Sequence, residues 1–80
     1  MFYTYVLKSQ SDGQLYTGWT NDLKHRLREH NLGHVQATKN RIPLKLIYYE
    51  ACLEEELAIA REKQLKTGFG RAYLKRRLKI

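Results

Sequence analysis

Cysteine, acidic side chains and long apolar runs are all scarce in this chain of 80 residues. Cys52 is the only cysteine, so neither an intrachain disulfide nor a cysteine-based zinc site can form. A lone cysteine between Ala51 and Leu53 reads as a small core filler, and the pattern suits a reducing, cytoplasmic setting. No apolar run approaches the roughly 18–20 residues that span a bilayer. The start of the chain lacks the basic region of a secretory signal. No internal repeat or low-complexity tract is present.

Acids are outnumbered, with eight Asp and Glu against fifteen Lys and Arg, a formal net charge of +7. So strong a positive field on a small domain points to a polyanionic partner, nucleic acid first. The charge is also clustered. Lys75, Arg76, Arg77 and Lys79 crowd one end, while Glu54, Glu55 and Glu56 hold much of the negative charge together.

The apolar pattern predicts an α+β domain over residues 1–80, with elements in the order β-β-α-β-α-α. A small, mainly antiparallel three-stranded sheet is flanked by helices. Residues 2–8 and 14–19 read as strands around the turn signal Asp12-Gly13. A helix follows to about His30, capped by Thr20 or Asn21, with Asp22 in its first turn. Leu23, Leu27 and His30 share one face of it, and Arg26 lies on the flank. Residues 34–43 read as a polar, basic loop and residues 45–49 as a third strand. A second helix spans about 54–66, with Leu57, Ala58 and Leu65 as its buried stripe and Gly68 as its stop. The last ten residues read as a short basic helix docking through Tyr73 or Leu74 and Leu78.

Within this frame stand five side chains suited to cutting a phosphodiester: Tyr5, Tyr16, Arg26, His30 and Glu62. Phenols relay protons, a guanidinium holds phosphate, an imidazole orients or transfers protons, and a carboxylate binds a cation. In order and spacing these residues resemble the GIY-YIG nuclease domain, particularly its short stand-alone members related to the catalytic domain of the excision-repair endonuclease subunit. Tyr3-Thr4-Tyr5 stands for the first motif and Tyr16-Thr17-Gly18 for the second. Arg26 follows ten residues after Tyr16, His30 one helical turn later, and Glu62 falls on the second helix. The glycine and isoleucine of the first motif are replaced, Trp19 stands where many members carry lysine, and no late asparagine follows Asn40.

The resemblance implies a metal-dependent DNA endonuclease linked to repair or recombination. Tyr16, with Tyr5 nearby, would take or relay the proton of the attacking water. Arg26 would hold the scissile phosphate, and His30 would orient phosphate or water. Glu62 would bind one divalent ion, Mg²⁺ or Mn²⁺. Lys39, Arg41, Arg71, Lys75 and Arg76 are expected to contact the DNA backbone without reading bases. Structure-directed cutting and a protein partner for targeting follow from the lack of a base-reading element. The alternative is a non-catalytic nucleic-acid-binding module on the same scaffold.

Overall fold

The computed structural model describes residues 1–80. Its elements are β1 (Phe2–Ser9), β2 (Leu15–Thr20), α1 (Leu23–Asn31), β3 (Leu44–Cys52), α2 (Glu55–Leu65) and α3 (Gly68–Leu78). The expected order β-β-α-β-α-α holds. The sheet runs β2-β1-β3 with both pairs antiparallel, so β1 is central and β2 forms an edge. No helix is long and apolar enough to cross a membrane.

Alternation along β1 sends successive side chains to opposite faces and so divides the core in two. Tyr5 and Leu7 pack with Leu44, Tyr16, Leu23, Leu27 and Leu46 under α1. Val6 packs with Leu65, Leu74, Leu15, Ile47, Tyr48, Tyr73 and Leu78 under α2 and α3. A β-bulge reconciles the two sides of β3: Val6 pairs with Tyr48 and Leu7 with Leu46, leaving Ile47 as the extra residue.

The hairpin closes as Asp12-Gly13 suggests. Gly13 adopts φ 72°, a left-handed conformation that costs glycine little. The Ser9 hydroxyl accepts hydrogen bonds from the Ser11 and Asp12 amides at 3.1 Å each. At the far end of α1, the Asn31 side chain behaves like a piece of strand. It donates to the Leu44 carbonyl at 3.0 Å and accepts from the Leu44 amide at 2.7 Å, tying the helix end to β3.

A polar staple holds α2 and α3 against β3. Arg61 donates from Nε and Nη2 to the Glu50 carboxylate at 2.9–3.0 Å. Its guanidinium lies 5.0 Å from the centre of the Tyr73 ring. Tyr48 donates to Glu50 and shares a 2.8 Å hydrogen bond with Tyr73. Burial alone would raise the Glu50 pKa, but the hydrogen bonds from Arg61 and Tyr48 outweigh it and hold the carboxyl below its usual value.

Several local expectations need correcting. Asp22 is the cap of α1 rather than a first-turn residue, its carboxylate accepting from the His25 amide at 3.1 Å. β3 extends well beyond residues 45–49 because its pairing to β1 continues through Ala51 and Cys52. Leu57 is 56% exposed, so the buried stripe of α2 is Ala58 and Leu65. Gly68 does not stop α2. Lys66 caps that helix, and Thr67 caps α3, which already includes Gly68. Cys52 is half-exposed at the strand end, its thiol 3.3 Å from the Glu54 carbonyl, and is no core filler.

One buried polar atom has no partner, the Thr17 hydroxyl on β2. An unmade buried hydrogen bond costs about 1 kcal/mol or more, and valine has nearly the same shape. Thr17→Val is therefore expected to stabilise the fold by about 1 kcal/mol. Urea denaturation checks this through the midpoint at unchanged m value.

Candidate active site

The site gathers at the β2 edge of the sheet, and its foundation is a buried chain of three polar side chains. Tyr5 is 1% exposed, His30 and Thr38 0%. The Tyr5 hydroxyl lies 2.8 Å from His30 Nε2, and His30 Nδ1 lies 2.7 Å from the Thr38 hydroxyl. Burial pushes the Tyr5 phenol up to about 12, with Arg26 pulling it down and the Tyr16 and Glu62 charges adding to the rise. Tyr5 therefore keeps its proton. Burial, aided by the Arg26 cation, pushes His30 down to about 4, so the imidazole is neutral at physiological pH. With Tyr5 donating to Nε2, the remaining ring proton goes from Nδ1 to Thr38.

His30 is buried with both ring nitrogens engaged, one by Tyr5 and one by Thr38. The Tyr5 hydroxyl is likewise buried against His30. Thr38 was missed in the sequence because it falls in a stretch that reads as irregular and polar. Its local signal is the apolar Val35 one turn before it; the Thr38 amide donates to the Val35 carbonyl at 3.0 Å, and both residues are buried.

Gly18 has a specific reason to be glycine. A Cβ there would lie 2.6 Å from the Tyr5 hydroxyl oxygen and 2.7 Å from its ring carbon Cζ. Tyr5 is pinned from the other side by His30, so it cannot swing away. The bare backbone of Gly18 is what lets the ring lie over β2.

Tyr16, Arg26 and Glu62 remain partly exposed above this base. The Tyr16 ring packs edge-on against His30 at 5.1 Å and tilted against Tyr5 at 6.5 Å, and its phenol makes no hydrogen bond within the chain. Arg26 is half-buried beside Tyr5 and His30 yet pairs with no carboxylate; the five ion pairs of the molecule lie elsewhere. A half-buried, uncompensated guanidinium is poised for an anion. Glu62, on α2, is close enough for its charge to act on the Tyr5 phenol; its side chain is 16% exposed and 2.5 Å from the Lys66 ammonium.

Nowhere do three or more His, Cys, Asp or Glu side chains converge to form a complete metal cage. Mg²⁺ typically keeps several waters and takes one or two carboxylates together with substrate phosphates. Glu62 fits that mode, as a partly exposed carboxylate that already holds a cation in Lys66.

The expected backbone-contact residues separate. Lys39 is exposed on the loop between α1 and β3, and Lys75 and Arg76 are exposed on α3. Arg41 is turned inward, 3.1 Å from Asp12 and 3.5 Å from the Leu15 carbonyl. Arg71 is half-buried on α3.

The buried imidazole links the site to folding. The unfolded chain protonates His30 near 6.5, the folded chain only near 4. The stabilisation from a neutral His30 is complete above pH 6.5 and is lost as the pH falls through 4. The expected loss is on the order of 2–3 kcal/mol. Denaturation curves at pH 7 and pH 4.5 should show this loss for the native chain and a smaller one for His30→Gln. That variant also subtracts the exposed pairs of His25 and His34 with Glu29. Stability unchanged across the window would contradict the assignment.

Comparison with known proteins places the chain in a family. A family model described as the GIY-YIG catalytic domain matches residues 1–78. The UPF0213 protein CPE1444 of Clostridium perfringens is 43% identical over 67 residues, covering 82% of this chain and 71% of the relative. A UPF0213 protein of Streptococcus agalactiae is 46% identical over 65 residues, covering 80% and 73%. The solution NMR structure of the UPF0213 protein BH0048 from Bacillus halodurans is similar with a TM-score of 0.56 and 31% identity, covering 92% of this chain and 82% of that one.

Proposed function

Because the chain belongs to the GIY-YIG catalytic-domain family, we propose that it is a metal-dependent DNA endonuclease acting in the cytoplasm, directed by DNA structure and serving repair or recombination. The observation that carries this reading is the half-buried Arg26 guanidinium beside the Tyr5 phenol, which pairs with no carboxylate and so is open to a phosphate.

The reaction is hydrolysis of a phosphodiester. Arg26 binds the non-bridging oxygens of the scissile phosphate and stabilises the charge that builds on them. Tyr16 takes the proton of the water that attacks phosphorus. A phenol is a weak base near neutrality, so the transfer accompanies attack of the water on phosphorus. Tyr5, fixed by His30 and Thr38, gives the Tyr16 ring a rigid wall. Glu62 would hold a divalent ion, Mg²⁺ or Mn²⁺, which would supply Lewis-acid stabilisation of the charge that builds in the reaction. As the water oxygen bonds to phosphorus, the P–O bond to the leaving sugar breaks, and that sugar oxygen takes up a proton from solvent, leaving two DNA ends.

Lys39, Arg71, Lys75 and Arg76 contribute backbone contacts, and targeting to a particular DNA structure falls to the substrate's shape or to a protein partner. The test is cleavage of labelled branched, nicked, single-stranded and duplex DNA with Mg²⁺ or Mn²⁺, beside Glu62→Gln. Cleavage that requires the metal and is lost in Glu62→Gln is expected. DNA binding without cleavage on every substrate would instead make the domain a nucleic-acid-binding module.

A further inference from the structure

Three cations without partners meet on the face of the sheet opposite α1. Lys8 leaves β1 on the side covered by α2 and α3, paired in register with Leu15 of β2. Arg71 and Lys75 lie one turn apart on α3 and face the same place. Together with Gly13, Leu15 and Ile80 they line a cleft of about 260 Å³ between the hairpin turn and α3.

None of the three appears in any of the five ion pairs of the molecule. The neighbouring carboxylate is withheld from them. Asp12, next to Gly13 in the turn, accepts from Arg41 at 3.1 Å and from the Gln14 amide at 2.8 Å. This gives the inward-turned Arg41 a purpose: it neutralises the acid that would otherwise compete at the cleft. The first turn of α3 also carries no acid, and Arg71 stands in the N-terminal half of that helix, where a cation opposes the helix dipole. For the fold alone, converging like charges in that position are unfavourable. A bound anion removes the conflict.

We propose that Lys8, Arg71 and Lys75 form a phosphate-binding cleft that holds the nucleic-acid backbone beside the candidate active site. The inference rests on the nuclease reading for its ligand and adds a discrete site to it. Leu15, at the cleft, and Gly18, beneath the Tyr5 hydroxyl, lie on the same edge strand. At about 3.3 Å per residue the two positions are separated by roughly 10 Å along that edge. The cleft and the Tyr5 ring lie on opposite faces of the sheet, so the cleft holds a flanking backbone position and not the scissile phosphate. A strand following the β2 edge would cross from one face of the sheet to the other as it passes.

The experiment is a salt titration of binding to a short single-stranded oligodeoxynucleotide, read by fluorescence anisotropy without added metal. The triple variant Lys8→Gln, Arg71→Gln, Lys75→Gln is compared with Arg28→Gln, Lys63→Gln, Arg77→Gln, which removes the same charge from exposed positions elsewhere. Denaturation curves establish that both are folded. On a single strand each phosphate contact contributes about −0.7 to the log–log slope. The cleft variant is expected to flatten the slope by about 2, the control variant by much less, and Arg71→Lys should keep most of it. Equal flattening in both triple variants would overturn the cleft in favour of a diffuse positive field. The outcomes separate from those of the nuclease reading. Binding that depends on the cleft without any cleavage would sink the nuclease and leave the cleft. Cleavage with equal slopes would do the reverse.

Discussion

Arg26→Ala is expected to lower the single-turnover rate of DNA cleavage by about 10²–10³-fold, the usual cost of losing one preorganised donor at a developing oxyanion. The size of the effect follows from where the guanidinium sits. It is half-buried, free of any carboxylate, and beside the phenol of Tyr5 and the imidazole of His30, both of which respond to its charge. Removing it takes away the donors for the phosphate. Arg26→Lys should recover only part of the rate, because an ammonium restores the charge but not the planar fork that binds two oxygens at once. DNA affinity should fall far less than rate, since other cations carry most of the backbone contact. A proportional fall in both would make Arg26 an ordinary binding residue.

Gly70→Ala is expected to destabilise the fold by about 3 kcal/mol, the upper end of the usual cost of overpacking. Gly70 sits in the first turn of α3, where its amide donates to the capping hydroxyl of Thr67 at 3.2 Å. A Cβ there would lie 2.3 Å from Leu65 Cα and 2.4 Å from the Gln64 carbonyl oxygen. Both are backbone atoms of α2, and Leu65 is fully buried against Val6 and Leu74, so neither can give way cheaply. A chain of this size is expected to have only about 4–12 kcal/mol of stability to lose. Gly68→Ala is the internal control. Its Cβ would meet nothing within 4 Å, so the better helix propensity of alanine should leave the fold equal or slightly more stable. Urea denaturation of the two variants compares them directly.

Much of the architecture was legible in the chain because it is written in local spacing. Alternation in residues 2–8 and 14–19, the Asp12-Gly13 turn, and the shared face of Leu23, Leu27 and His30 all survive in the structure. Tyr5 and His30 do meet. What local spacing does not record is depth. The imidazole that looked ready to face a phosphate lies under the sheet edge, because Gly18 lets the Tyr5 ring lie flat and Thr38 folds in to close the other side. Leu57 and Cys52 show the same limit from the opposite direction, as apolar or weakly polar residues that the packing of α2 leaves outside.

Long-range polar partnerships were equally invisible. Glu50, Arg61, Tyr48 and Tyr73 are distributed over three elements and form one staple only once β3, α2 and α3 stack. Arg41 read as a phosphate contact on composition, yet the hairpin brings Asp12 to it. Gly70 is constrained by the close approach of two helix backbones, which no local pattern records.

The measurement that tests the account most directly is single-turnover cleavage of a labelled branched DNA with Mn²⁺ by the native chain, Arg26→Ala and Glu62→Gln, with DNA affinity and folding measured on the same preparations. The account requires cleavage by the native chain and its loss in both variants, each still folded and still binding DNA. Undiminished cleavage by either variant would contradict the site, as would a native chain that binds the DNA and leaves it intact.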